Sequence, residues 1–504
     1  MPKNSITQAR ARVKLAYDPA LFSEAAQNIV NQLTVHLDAL QRPPFETMDW
    51  TSPESMLKLA RFYLDQTERA PLAGRIRELT GVYLQRVNGL HSPHYIGHQV
   101  PAPVPIAAAF ELIGSCLNQP SGIYEMGPFS AASEKALIQK IGEAVGWDTR
   151  TFDGIGTHGG SLANLTAVLA ARNFYFKHSW KDGLGDENLK PAILASSDAH
   201  YSISRSAGIL GVGANRIISA PLDSKRRIDP DKTYQLLSQA RAQGTAVFCI
   251  IGSACTTPIG AFDPLKELAK LASENGIWFH IDAAHGGPLL FSKRYKHLLE
   301  GIELADSITW DAHKMMFVPA LCTFLLYRDK TKSYLPFQQD APYLFDPGSE
   351  GTIEFDSALR TVECTKRPLA MALWAVWSTF GPSLFEDLVD VTCHAAREFY
   401  DLIKETRDFI PAHDPQCNIL CFRYLPEFTR GADESRISQF HVDLRKSVVQ
   451  TGKFYITGTK LDGKNTLRVS VMNPLTEKLH FESLLAHIRE IGNEIWEETK
   501  NKCN

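Results

Sequence analysis

Apolar residues recur at helical spacing over the first hundred positions. In 21–40 (LFSEAAQNIVNQLTVHLDAL) and 52–67 (SPESMLKLARFYLDQT) they fall three and four apart, the period that gathers them on one face of a helix. The pattern dissolves at 91–105, HSPHYIGHQVPAPVP, whose prolines predict a loop. From about 106 to 385 two periods alternate. Helix-like stretches at 105–118, 133–147, 161–176 and 263–276 are interleaved with short, nearly continuous apolar runs: PAILASS, RIISAP, AVFCIIGSA, IWFHIDAA and SITWDA. A strand apolar on both sides is buried on both faces, so the alternation predicts an α/β fold with a mainly parallel sheet covered by helices. The remainder opens with a long helical pattern at 381–406. It continues through strand-like NILCFRYL and TLRVSVMN and ends in an amphipathic stretch at 475–499, which predicts a smaller α+β domain. The expected division is an N-terminal helical segment (1–105), a large domain (106–385) and a small C-terminal domain (386–504).

Composition excludes some functions. With 504 residues, 44% hydrophobic, 22% charged and a net charge of −3, the chain has no basic field for nucleic acid or an anionic membrane. Residues 1–22 contain no apolar stretch of signal-peptide length, and no run of about 18 apolar residues occurs, so a cytoplasmic address is expected. The nine cysteines are scattered and lie mostly in apolar segments, the usage of reduced, core-filling thiols. Cys417 and Cys421 lack the second pair that a zinc site needs, and no metal is expected.

Ligands of open α/β sheets bind at the carboxyl ends of the strands, so the loops after strands are where chemistry is expected. Four of them carry unusual residues. In THGGSLANLTAVLAARN, Gly159, Gly160 and Ser161 precede a helix, a site for phosphate or simply a turn with an N-cap serine. In SSDAHYSISRSAGILG, His200 follows a strand, where its ring either lies against a planar ligand or is merely solvated. In IWFHIDAAHGGPLLF, Asp282 ends an apolar strand and needs a cationic or N–H partner. His280 and Asp282 share a strand face and His285 is near, but no third ligand with open geometry is evident for a metal. In SITWDAHKMMFVPALCTFLLYRD, Lys314 sits in an interior-like run. A sheltered lysine is expected to have a lowered pKa and to be nucleophilic toward an aldehyde, unless its head snorkels outward. One ligand with a phosphate, a planar cationic ring and an aldehyde fits all four loops: pyridoxal 5'-phosphate.

Here the chain resembles the group II pyridoxal-phosphate-dependent amino-acid decarboxylases, which include the glutamate, aromatic, cysteine-sulfinate and diaminobutyrate enzymes. The likeness runs from HSPHYIGHQ to LRVSVMNP. HIDAAHGG followed by DAHKMM carries it, with SSDAHYSISRSAGILG and TTPIGAFDPLKELA in the expected order. The resemblance implies a fold-type I enzyme with a mainly parallel, seven-stranded sheet in its large domain. It implies a Schiff base at Lys314, His313 near the phosphate, Asp282 on the pyridine nitrogen, Ala284 against the ring and His200 stacked on its face. Gly160, Ser161 and Thr257 fall at the phosphate-side positions. Arg468 takes the place of the arginine that receives the substrate carboxylate. Tyr343, in APYLFDPGSEG, matches a tyrosine on a mobile loop that protonates the intermediate across a homodimer interface. The segment around His98 is expected to recognise the substrate side chain. The family differs at one point: Asp311-Ala312 stand where animal members have Asn-Pro, and an aspartate pointing inward would repel a phosphate.

The implied reaction turns an L-amino acid into its amine and carbon dioxide. A glutamate-like or other acidic substrate is expected, with diaminobutyrate, aromatic substrates and an aldehyde-forming variant left open. Two alternatives come from other classes. Gly-x-Ser-x-Ala around Ser161 is close to a hydrolase elbow, although it lacks the second glycine and IGT before it makes a poor strand. The other is a non-catalytic relative that keeps the fold.

Overall fold

Successive side chains along the buried strands enter opposite cores, and this fixes the architecture. In the computed structural model, which describes residues 3–65, 71–185, 190–337 and 353–503, seven strands form one sheet. They are β1 (Asp153–Thr157), β2 (Lys190–Ser196), β3 (Ile217–Ala220), β4 (Thr245–Ser253), β5 (Trp278–Asp282), β6 (Ser307–Asp311) and β7 (Thr323–Tyr327), in the order β1-β7-β6-β5-β4-β2-β3. Along β2, Ala192 and Leu194 enter one core while Ile193 and Ala195 enter another; along β7, Phe324 and Leu326 do the same against Leu325 and Tyr327. Helices Pro128–Val145 and Leu265–Glu274 supply the first core, and Gly160–Tyr175 and Ser202–Ile209 the second. Covering both faces in this way is what apolar parallel strands require.

Strands β3, β2, β4, β5 and β6 pair in parallel, and β7 is antiparallel to both β6 and β1. β1 therefore runs in the same sense as the five, and β7 alone is reversed in this sheet. This is the mainly parallel, seven-stranded α/β arrangement expected from the sequence. Two of its strands were not expected. IGT is the end of β1, poor in side chains because its neighbours come close: a Cβ on Gly154 would meet Leu325 O at 2.6 Å, and one on Gly156 would meet Glu134 Oε2 at 2.8 Å. β7 lies in the apolar run after Lys314 and looked like featureless interior.

A four-stranded sheet holds β8 (Phe409–Pro411), β9 (Ile419–Tyr424), β10 (Thr457–Leu461) and β11 (Lys464–Ser470), in the order β10-β11-β9-β8, with β9 antiparallel to β8 and β11. The chain forms two compact units. One is His98–Ala432 with Gly458–Pro474 and contains the seven-stranded sheet; the other is Met1–Gly97, Asp433–Thr457 and Leu475–Asn504. In the latter, helices Pro19–Leu40, Pro53–Asp65 and Leu72–Leu84 bury none of their residues and leave Phe22, Val35, Leu57 and Phe62 exposed. Among the described residues no helix is long and apolar enough to cross a membrane.

Strand β1 is anchored by a buried ion pair. Lys366 Nζ lies 2.6 Å from Glu134 Oε1 and 3.0 Å from Gly156 O, and Glu134 Oε1 also accepts the Gly156 N–H at 2.8 Å. Lys366→Met leaves that carboxylate buried without its cation, which is expected to destabilise the fold by about 3–5 kcal/mol. Lys366→Met combined with Glu134→Gln keeps an acceptor for Gly156 and is expected to recover most of the loss, as read from urea unfolding midpoints.

Candidate active site

The loops leaving the carboxyl ends of β1, β2, β4, β5 and β6 surround one pocket of about 280 Å³. Each delivers a chemically distinct group. After β1, Gly159 adopts φ 99°, a backbone conformation that favours glycine, and helix Gly160–Tyr175 begins directly. Leu162 and Ala163 donate to Gly159 O at 3.1 and 3.2 Å, which leaves the Gly160 and Ser161 N–H groups without an acceptor inside the helix, and a Cβ on Gly160 would crowd Asp311 Oδ2 at 3.0 Å. A backbone N–H cradle of this kind suits an anion. β2 leads to His200, β4 to Cys255, Thr256 and Thr257, and β5 ends in Asp282 and continues to Ala284 and His285. β6 ends in Asp311, and the following turn carries His313 and Lys314.

Charge is concentrated on one wall. Lys314 Nζ is 3.0 Å from Asp311 Oδ2, and Thr323 Oγ1 at the start of β7 donates to Asp311 Oδ1 at 2.5 Å. Burial disfavours the lysine cation, yet the carboxylates of Asp311 and Asp282 outweigh it and hold the pKa above the usual lysine value. The expectation of a lowered pKa at Lys314 is thus overturned, because Asp311 points inward and supplies a counter-charge. Burial also works against the Asp311 carboxylate, but Lys314, His313 and the Thr323 hydroxyl together keep it below its ordinary range. Burial depresses His200, an effect that Asp282 opposes and Lys314 reinforces. His285 is pushed down to about 3 by burial and by Lys314, so it is neutral. Its Nε2 donates to Asn418 Oδ1 at 2.8 Å, an oxygen identified as such because Asn418 Nδ2 donates to Val471 O. His285 Nδ1 is then a buried acceptor without a hydrogen-bond partner among the described residues, in the wall of the pocket.

Most residues singled out in the sequence converge here. Gly160, Ser161, His200, Thr257, Asp282, Ala284, His313 and Lys314 all line the pocket. Arg468, on β11, stands just behind the wall and is 6% exposed, which excludes a surface ion pair as its role. Its Nε donates to Pro258 O at 3.0 Å, and its Nη2 donates to Thr257 O at 2.8 Å and Gln99 Oε1 at 3.3 Å. His98 is exposed and is not among the lining residues, whereas its neighbour Gln99 is. Tyr343 lies outside the described residues. His280 is a satisfied core histidine, with its two ring nitrogens on Ser307 and Asn164.

Several lining residues were given no role in the site by the sequence reading, among them Gln99, His158, Asn164, Ser253, Thr256 and Asp311, the last considered only as a departure from the family; His285 was considered only as a metal ligand. The signal for two of them was present. Asp311 ends SITWD just as Asp282 ends WFHID, and Asn164 is a buried amide within the first turns of an alanine-rich helix that starts at the pocket.

A family model described as the pyridoxal-dependent decarboxylase conserved domain matches residues 79–425. Cysteine sulfinic acid decarboxylase of Mus musculus is 30% identical over 461 residues, covering 89% of this chain and 91% of that protein. The acidic amino acid decarboxylase GADL1 of Mus musculus is 30% identical over 395 residues, 77% of this chain and 71% of its own length. The crystal structure of mouse CSAD matches with a TM-score of 0.86 at 26% identity, covering 94% of this chain and 99% of that one.

In unliganded protein the Lys314 amine is expected to resist labelling by a small neutral aldehyde at pH 7, reacting only as the pH rises past the ordinary lysine range. Asp311→Asn removes the nearest carboxylate, so the midpoint of labelling should move to lower pH. Peptide mass spectrometry after borohydride trapping measures it, and an unmoved midpoint would show that the ion pair does not control the amine.

Proposed function

The chain belongs to the pyridoxal-dependent decarboxylase family and is a carboxy-lyase that uses pyridoxal 5'-phosphate on an amino acid, and from that premise we propose that Lys314 carries the cofactor and that the substrate is an acidic L-amino acid. The observation that carries the lysine assignment is the meeting of Lys314 and Asp282 in one pocket with a glycine-started helix turn. That donor set suits the cofactor: an amine for its aldehyde, a carboxylate for its ring nitrogen and backbone N–H groups for its phosphate.

When bound, pyridoxal phosphate supplies a carbonyl that condenses with amines and a cationic ring that stabilises the electron pair left as carbon dioxide departs. The chain's own residues do the rest. Asp282 keeps a negative charge beside the ring nitrogen and so favours a proton there. Gly160, Ser161, Thr257 and His313 hold the phosphate side, and Ala284 and His200 bracket the ring. Arg468 binds the substrate's α-carboxylate through its planar guanidinium, which Thr257 O and Pro258 O hold in orientation. Asp311 gives Lys314 a counter-charge whenever its amine is released as a cation. Tyr343 or His200 returns the final proton to carbon. Gln99, which touches Arg468, replaces His98 as the nearer candidate for contact with substrate.

The acidic-substrate reading is supported by the names of the relatives matched over most of the chain, cysteine sulfinic acid and acidic amino acid decarboxylases. The proposed assembly is a homodimer. Helix Pro105–Leu117 exposes Ile106, Leu112, Ile113 and Leu117, and Phe129 and Val362 are exposed too, an apolar surface that a second copy would cover.

Purified protein loaded with pyridoxal phosphate is expected to release carbon dioxide and amine from L-cysteine sulfinate, L-aspartate or L-glutamate, and not from L-2,4-diaminobutyrate or L-tryptophan. Product analysis by mass spectrometry decides, and it would also register an aldehyde product. Lys314→Ala should abolish both turnover and the visible absorbance of the lysine-bound cofactor. Turnover at the normal rate in that variant would overturn the assignment.

A further inference from the structure

Asn164 is buried at the start of helix Gly160–Tyr175, and all four of its hydrogen-bonding positions are used. Nδ2 is 2.9 Å from Asp282 Oδ2 and 3.0 Å from Ser202 Oγ. Oδ1 is 3.1 Å from His280 Nε2 and 2.7 Å from Thr309 Oγ1. The direction of these bonds follows from their ends. An ionised carboxylate only accepts, so the amide must turn Nδ2 to Asp282 and Oδ1 to His280, whose proton is then on Nε2. From the other end, the indole N–H of Trp278 donates to Ser307 Oγ at 2.9 Å. This leaves the Ser307 hydroxyl proton for His280 Nδ1, also at 2.9 Å. The Asp282 end fixes this arrangement; the serine end is compatible with it but does not impose it, because His280 Nδ1 also lies 3.2 Å from Ser307 O. On the far side, the Ser202 backbone N–H lies 3.3 Å from His200 Nδ1, and a backbone N–H can only donate. Ser202 Oγ, already accepting from Asn164, gives its own proton to the same nitrogen at 2.9 Å. The neutral His200 ring therefore carries its proton on Nε2.

We propose that Asn164 is a positioning residue of the decarboxylation: its amide fixes the Asp282 carboxylate for the cofactor ring and, through Ser202, fixes His200 in the Nε2–H form. The inference rests on the roles proposed above for Asp282 and His200. Removing the partner that orients a metal ligand typically costs about 10–100-fold in affinity or activity, and a loss of the same order is expected for a carboxylate oriented toward a cofactor ring. Asn164→Ala should accordingly weaken cofactor retention and lower kcat by that order, with KM moving less. Asn164→Asp has the same shape but places a second carboxylate against Asp282, and two carboxylates at hydrogen-bond distance share a proton at neutral pH. The groups facing that pair are His280 on β5, His200 after β2, and Asp311 and Lys314 at the end of β6.

The test uses holoenzyme and three readouts: cofactor dissociation constant, the pH dependence of the bound cofactor's absorbance, and kcat with KM. Asn164→Asp is expected to show an absorbance step with pH that wild type lacks, and kcat should follow the same midpoint; Asn164→Ala should lose cofactor affinity without that step. If both variants keep the wild-type absorbance profile and kcat and show only a lower Tm, Asn164 is merely structural and the proposal fails. Should Asn164→Ala not fold, the isosteric Asn164→Asp decides alone. Asp282→Asn and His200→Gln run alongside. Normal activity in those two would defeat the reading of the site itself, whereas their loss with unaffected Asn164 variants would defeat only this inference.

Discussion

A parallel strand covered on both faces offers a polar side chain nowhere to go except to another polar group. That constraint organises this protein. β5 and β6 each carry a polar residue at every second position on the face toward helix Gly160–Tyr175: His280 and Asp282 on one, Ser307, Thr309 and Asp311 on the other. Unpaired, each would cost on the order of 1–3 kcal/mol. Paired, His280, Ser307, Thr309 and Asp282 form a ladder through Asn164 that begins at the buried Trp278 indole and ends at the Asp282 carboxylate. Asp311 is held separately by Thr323 and Lys314. The same residues that satisfy the core therefore also hold the Asp282 carboxylate of the pocket in place.

The pocket also balances its charges internally. Two carboxylates, Asp282 and Asp311, face one amine, with a helix N-terminus beside them. The amine is held as a cation rather than primed as a free base, so condensation with an aldehyde must be accompanied by a proton leaving Lys314. His285 in this wall and His280 in the core respond in the opposite sense. Burial strips His285 and His280 of charge, down to about 3 and about 4, and turns them into directional hydrogen-bonding groups instead of titrating ones.

Much of this was legible in the sequence, for reasons specific to each part. Five parallel strands announced themselves because burial on both faces makes them apolar throughout, and the functional loops followed from the rule that ligands gather at strand ends. β1 was missed because its glycines answer to close neighbours that a one-dimensional pattern cannot contain: Leu325 and Glu134 are far away in the chain. The raised pKa of Lys314 was missed for a similar reason. Neighbourhood in the chain does not reveal which way Asp311 points, and its direction reverses the sign of the shift. Asn164 was passed over because an amide in an alanine-rich helix has no meaning until the strand beneath it is known.

β7 is the one strand of its sheet that starts, rather than finishes, at the rim of the pocket, and its first residue, Thr323, sits opposite both Asp311 and Thr157. Side chains alternate along a strand, so adding or losing a single residue between Lys314 and Thr323 would swap every partner along β7 and present Cys322 or Phe324 where the hydroxyl now meets the carboxylate. The spacing of that short connection is for this reason a constraint of the architecture in its own right, as binding as the identity of any residue it joins.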